Sequence, residues 1–197
     1  RYMITDEPVE VNLNFPLIVK PSREHASIGI SKDSVVNDVK ALKKKILEIK
    51  EKFSQSSLIE EFIEGIEINA ALLGNDVLPF YEVNFNSSKN EPKLVTYDAK
   101  WDKTSQEYSD MVIKCPAELD QDLKIKLKEI SQHVAKAFES HQYTRIEFRI
   151  KDNIPYVIDV NPNPCISTDS EFVRSAKEAS HDFKSVIEKI ILIAKNS

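Results

Sequence analysis

At 197 residues the chain can build one or two compact lobes with a real core. Its net charge of −5, from 27 basic and 32 acidic residues interleaved along the sequence, argues against nonspecific nucleic-acid binding, which needs a basic stripe, and leaves room for a local basic pocket. No apolar run approaches the roughly 20 residues of a membrane-spanning helix, no signal peptide is visible, and Cys115 and Cys165 make no disulfide framework, so a reduced, cytoplasmic setting is expected.

Taken in order, residues 2–5 read as a short strand. Phe15-Pro16-Leu17-Ile18-Val19-Lys20-Pro21 reads as a strand bounded by two prolines. A polar loop follows over 22–31, with Ile28-Gly29-Ile30 as a short strand. Val35/Val36, Val39, Leu42, Ile46 and Ile49 recur at helical spacing and predict a helix over 32–52, capped by Asp33 or Ser34. Strands are expected over 57–62, 66–73 and 77–85, loops over 87–92 and 97–108, and an amphipathic helix over 120–140. A hairpin then spans 145–161, and helices over 169–179 and 182–194 close the chain, the last capped by Asp182. Runs of strands with helices between them predict an α+β fold with mostly antiparallel sheet.

The hairpin carries the strongest chemical signal. Arg145, Glu147 and Arg149 alternate with Ile146, Phe148 and Ile150; Val157, Asp159 and Asn161 alternate with Tyr156, Ile158 and Val160. A loop of about three residues centred on Asn153 places Glu147 opposite Asp159 and Arg145 opposite Asn161. Two carboxylates facing each other across a ladder repel, and a divalent cation would relieve this. Oxygen donors from Glu147, Asp159 and Asn161, with no His or Cys, suit Mg²⁺ (or Mn²⁺) rather than Zn²⁺, and Mg²⁺ so held generally binds substrate phosphates too. The alternative is a solvated face neutralised by Arg145 and Arg149.

Other candidates are weaker singly. Lys20 ends a rigid apolar strand, and the loop from Ser22 through Ser27 to Gly29 offers hydroxyls and backbone N–H groups to phosphate oxygens; a strand-end lysine followed by a plain connector explains the same residues. Around Glu60, Phe62 and Ile63 an apolar strand end could form a slot for an aromatic base, with Glu67 accepting from ribose hydroxyls; an edge strand with solvated acids is the bland reading. Lys100 is a second loop cation, beside the only Trp, Trp101. Glycine-rich phosphate loops and a nucleophile elbow are absent. His25, His133, His141 and His181 lack metal-ligand spacing and read mostly as surface residues, and Cys165 reads as an inert thiol.

The order of these pieces is more telling than any one. Strand-Lys-Pro-Ser-Arg-Glu, then Glu-Glu-Phe-Ile-Glu-Gly-x-Glu, then Tyr-Asp-Ala-Lys, then Arg-x-Glu and Asp-x-Asn-Pro-Asn-Pro resembles the ATP-grasp superfamily, and within it the D-alanine–D-alanine ligases and their relatives. The resemblance implies two lobes, 1–65 and 66–197, with a nucleotide cleft between them. It implies Lys20, Ser22, Ser27 and Lys100 at the ATP phosphates, and Glu60, Phe62 and Ile63 at the adenine. Glu67 would meet the ribose, Glu147, Asp159 and Asn161 would hold Mg²⁺, and Arg145 would steady an acyl phosphate. The implied activity is ATP-dependent carboxylate–amine ligation on small amino-acid or peptide substrates, with ATP and Mg²⁺ as cofactors, no nucleic-acid or membrane partner, and a homodimer left open.

Three positions depart from the family's pattern. Glu147 precedes Asp159 where the family has Asp then Glu. His25-Ala26-Ser27 stands for Gly-Ser-Ser. Cys165 stands where the family's Asn-Pro-Gly turn has glycine. The family's N-terminal substrate domain, of about a hundred residues, and its further ATP lysine have no counterpart here. The chain is therefore expected to be the ATP-grasp portion of such a ligase. The alternative is a non-catalytic or split-subunit nucleotide-binding module that works with a partner chain.

Overall fold

The computed structural model describes residues 1–9, 11–86, 91–139 and 143–196. Most of the expected loop over 87–92, the end of the expected helix at Ser140, and His141 lie outside the described residues. Contacts divide the chain into two units: Arg1–Glu64 with Phe85–Met111, and Gly65–Asn84 with Val112–Ser197. The first unit thus takes up a segment that a simple division at residue 65 assigns to the second. Among the described residues, no helix is long and apolar enough to cross a membrane.

In the first unit, β1 (Tyr2–Thr5), β2 (Leu17–Pro21), β3 (Val35–Val36) and β4 (Ser57–Glu61) form an antiparallel sheet in the order β1-β4-β2-β3. Helix α1 (Val39–Phe53) packs on it, with Leu42, Ile46 and Ile49 against Leu17, Val19 and Ile59. Each such side chain contributes about 1.5–3 kcal/mol by leaving water. The helix starts later than its periodicity suggests. Val35 and Val36 pair with Ile18 and Leu17 instead, as β-branched residues favour. Asp38 is the cap, its side chain accepting from Ala41 N. The expected strand at Ile28–Ile30 is a turn, because Ala26, Ser27 and Gly29 all have positive φ. The expected loop over 97–108 contains two short helices, α2 (Tyr97–Trp101) and α3 (Gln106–Asp110), started by the Thr96 and Ser105 hydroxyls. Both caps are plain in the sequence; the helices are too short to show a period.

The second unit is built on a six-stranded sheet: β5 (Ile66–Leu73), β6 (Asp76–Val77), β7 (Tyr81–Phe85), β8 (Met111–Lys114), β9 (Tyr143–Lys151) and β10 (Ile154–Asn161), in the order β10-β9-β5-β7-β8 with β6 on β5. Pro79 lies between β6 and β7, where one continuous strand was expected. Ile68, Ala70, Ile146, Phe148 and Ile150 fill one face under α4 (Gln121–Ala137). On the other face, Ala71 and Leu73 pack with Phe172 and Val186 of α5 (Glu171–Glu178) and α6 (Phe183–Lys195), and Asp182 caps α6. Gly65 is needed for a close approach: a Cβ there would lie 2.1 Å from the Ile150 carbonyl oxygen.

Candidate active site

The register of the β9–β10 hairpin builds the acidic centre in two steps. Asp152 and Asn153 form a two-residue turn, both with positive φ, the geometry that matches hairpin twist. That turn pairs Tyr156 with Arg149 and Val157 with Phe148, a phase that would carry Ile158 to Glu147 and send Asp159 to the opposite face. A register shift between Val157 and Asp159 corrects it, so that Asp159 stands opposite Glu147 and Asn161 opposite Arg145. The expected pairing is thus reached by a shorter turn plus a bulge, not by a three-residue loop.

The row continues inward. Glu147 faces Asn69 on β5, and Asn69 faces Tyr81 on β7. Asn69 and Tyr81 are each only 2% exposed. Sequence reasoning missed both; the signal available was a polar residue within the apolar run of β5. Burial pushes the Tyr81 phenol well above its ordinary value, with Glu171, Glu147 and Glu67 adding to the effect and Arg145 opposing it.

Arg145 and Glu147 form an ion pair through Nη2 and Oε1. Burial works against the Arg145 charge, but Glu147, Tyr81 and Asp159 together hold its guanidinium above the ordinary arginine value. Among the described residues, its Nε is buried and finds no hydrogen-bond partner. Asp159 is exposed. Asn161 Oδ1 accepts from Asn163 N at 2.9 Å, which orders the Asn-Pro-Asn-Pro turn, and Tyr143 OH donates to the Asn163 amide oxygen. Among the described residues, no group of three or more His, Cys, Asp or Glu is arranged so that it could hold a metal ion. Two carboxylates and an amide oxygen fit a hard ion that completes its shell with water and phosphate oxygens, and do not fit zinc.

Glu67 is 3% exposed, and its Oε2 lies 2.7 Å from Arg149 Nη2, itself on a buried residue. Cys165 is exposed and its thiol lies 3.3 Å from the Ser167 hydroxyl. Cys115 is half-buried, and burial pushes its thiol up to about 11, Glu178 adding to the shift and Arg174 opposing it.

In the first unit, Lys20 Nζ pairs with Glu60 at 2.7 Å, so the cation expected at phosphate and the acid expected at adenine meet each other. Phe62 N donates to the Pro16 carbonyl, which fixes the strand end that Phe62 and Ile63 extend. Ser22 N donates to the Ser56 carbonyl. The Ser27 hydroxyl, expected to face phosphate, donates to the Val95 carbonyl at 2.9 Å. Tyr97 N donates to the Ile30 carbonyl and Trp101 Nε1 to the Ala26 carbonyl, each at 3.0 Å. The 22–30 loop is therefore tied to α2, and half-buried Lys100 stands on that same helix. His25 and His133 are exposed and His181 is half-buried.

The sequence profile of the D-ala D-ala ligase C-terminus matches residues 3–192. The chain belongs to this family. A D-alanine–D-alanine ligase of Carboxydothermus hydrogenoformans is 30% identical over 186 residues, covering 92% of this chain and 55% of the relative. An uncharacterised protein of Sinorhizobium fredii is 34% identical over 187 residues, covering 93% of this chain and 53% of its own. The crystal structure of the Bacillus anthracis D-alanine–D-alanine ligase superposes with a TM-score of 0.79 at 26% identity, over 100% of this chain and 62% of that one. A structure of the B. anthracis ligase complexed with ATP gives a TM-score of 0.76 at 23% identity, over 100% and 60%. The fold is that of these ATP-grasp ligases. The chain spans about half the length of the curated relatives it matches.

Proposed function

We propose that this chain is the ATP-binding portion of a carboxylate–amine ligase of the D-alanine–D-alanine ligase type. A carboxylate is activated by ATP as an acyl phosphate, and an amine displaces the phosphate to form a C–N bond. The observation that carries the reading is the row Asp159–Glu147–Asn69 with Arg145 beside it: two carboxylates and a guanidinium on one sheet face. Family membership and the ATP complex of the B. anthracis relative support it.

Lys20 and Lys100 supply cations to the triphosphate, Ser22 its hydroxyl, and the loop through Ser27 and Gly29 backbone N–H groups. Ser27 acts through its hold on Val95, which keeps that loop against α2. Glu60, Phe62 and Ile63 take the adenine. Glu147, Asp159 and Asn161 would hold Mg²⁺ (or Mn²⁺), which neutralises phosphate charge when bound. The Arg145 guanidinium would stabilise the oxygen on which charge develops, the preorganised stabilisation that acyl transfer requires. The substrates are ATP and a small amino acid or peptide, and the work is intracellular. Calorimetric titration of the intact protein with ATP tests this reading: saturable binding in Mg²⁺ that weakens sharply in EDTA is expected, and no binding in either buffer would contradict it.

A second reading, a nucleotide-binding module that serves a partner chain without catalysing, is favoured by one observation. Exposed Cys165 puts a side chain where the family's turn has glycine. Nucleotide binding without amine-dependent phosphate release would select it.

A further inference from the structure

We propose that Tyr143 is a positioning residue for the metal: its hydroxyl, acting through Asn163, holds the Asn161 side-chain oxygen where Mg²⁺ would meet it. The inference rests on the ATP reading above. The links run outward from the core of the second unit. The Tyr143 ring is half-buried against the cluster of Ala71, Leu73 and Phe172. It meets Phe172 edge-on, with 5.9 Å between ring centres and 81° between planes. A ring packed in this way delivers its hydroxyl to one place. That hydroxyl donates to the Asn163 side-chain oxygen. The Asn163 backbone N–H in turn donates to Asn161 Oδ1 at 2.9 Å. Thr144, the next residue of β9, is fully buried, and its hydroxyl donates to the Asn161 carbonyl at 2.8 Å. Neighbouring residues of β9 thus fix both the backbone and the side chain of Asn161.

The chain needs such links at this point. Asn161 is the last residue of β10 and stands opposite Arg145 in the last pair of the ladder. Pro162 and Pro164 follow, and neither has a backbone N–H to extend the pairing. Side chains must therefore order the turn. A carboxamide can present either its oxygen or its nitrogen, and only the oxygen is a ligand for a hard cation. The Asn163 N–H selects the oxygen and occupies one of its two lone pairs, which leaves the other for a metal. Hydrogen bonds one step out from a ligand govern metal affinity by about tenfold or more. Asn163 is exposed, which sets the expected effect at the lower end.

The test is calorimetry of the intact protein with ATP in Mg²⁺ and in EDTA, read as the factor by which Mg²⁺ tightens binding. Tyr143→Phe keeps the ring on Phe172 and removes the hydroxyl. It should shrink that factor about threefold to tenfold, the range that one neutral hydrogen bond supports, and leave the affinity in EDTA at the wild-type value. Asn163→Ala should do the same. The double variant Y143F/N163A should lose no more than either single one, because the two groups form one link. A role confined to the fold would weaken binding in both buffers alike and leave the factor unchanged; that result overturns the inference. A double variant whose loss is the product of the two single losses also overturns it. Circular dichroism establishes folding, and N163A, at an exposed position, carries the test if Y143F does not fold. Wild type that binds ATP with no gain from Mg²⁺ overturns the metal assignment, and wild type that binds no ATP in either buffer overturns the ATP reading; this inference falls with each. Failure of the inference alone leaves the wild-type gain from Mg²⁺ in place.

Discussion

The charges of the acidic row differ in what they do for the fold, and two substitutions separate them. Glu147 and Arg145 pair with side-chain exposures of 13% and 15%. Glu147→Gln leaves a nearly buried guanidinium with its closest counter-charge removed. Breaking a buried pair from one side costs about 3–5 kcal/mol; the residual solvent contact here brings this to about 2–3 kcal/mol. At ~2–4 °C per kcal/mol for a chain of this size, the melting temperature falls by about 5–10 °C. Asp159 is exposed, and its charge is repelled by Glu147 but attracted by Arg145. Asp159→Asn removes two opposed contributions, and the net change stays within about 1 kcal/mol. The assay is thermal unfolding in EDTA by circular dichroism, followed by calorimetry with Mg²⁺-ATP. D159N should melt near wild type, yet lose Mg²⁺-dependent ATP binding by about tenfold or more, because the proposed metal ligand has lost its charge. If D159N is destabilised as much as E147Q, Asp159 rather than Glu147 compensates Arg145, and this ranking of the charges is refuted.

Other expectations follow from single contacts. Trp101→Phe removes the indole bond to the Ala26 carbonyl, worth about 0.5–1.5 kcal/mol; the melting temperature should fall by about 1–6 °C and ATP affinity by calorimetry by about threefold to tenfold. Asp38→Ala removes the α1 cap and should cost about 1 kcal/mol in a urea melt, whereas Asp33→Ala, which caps nothing in α1, should leave the α1 N-terminus intact. Cys165 is exposed and Cys115 is held up to about 11 from 9.0, so a thiol reagent at pH 8 should modify one cysteine quickly and the other about a hundredfold more slowly. Because the folded Cys115 value is raised, the stability it lends as a neutral thiol is present below pH 9.0 and lost as the pH climbs toward about 11. Urea midpoints at pH 8 and pH 10 should therefore fall less steeply in Cys115→Ser.

What could be read from the sequence was whatever repeats with a period or sits next to one. The alternation through Arg145, Glu147 and Arg149 gave β9 and the face its charges share, α4 followed from apolar spacing, and Asp182 marked the start of α6. The turn of β9–β10 illustrates the limit. Facing Glu147 with Asp159 was foreseen, but a loop length and a bulge can trade against each other, and only the backbone shows that Asp152 and Asn153 turn alone and Ile158 is the extra residue. Helix α1 was started too early because Val35 and Val36 satisfy a helical period and a strand equally; pairing with β2 decided it. Local sequence placed the site candidates individually, but not their partners: Lys20 with Glu60, Ser27 with Val95, and Glu67 with Arg149 are separated by 40, 68 and 82 residues.

The central claim is that the intact protein uses ATP to join a carboxylate to an amine. Phosphate release from Mg²⁺-ATP, measured against a panel of D- and L-amino acids, tests it most directly. The account predicts release that depends on an amino acid, is absent in EDTA, and is lost in D159N. Nucleotide binding with no amino-acid-dependent release from any member of the panel would contradict the ligase reading and leave the nucleotide-binding module in its place.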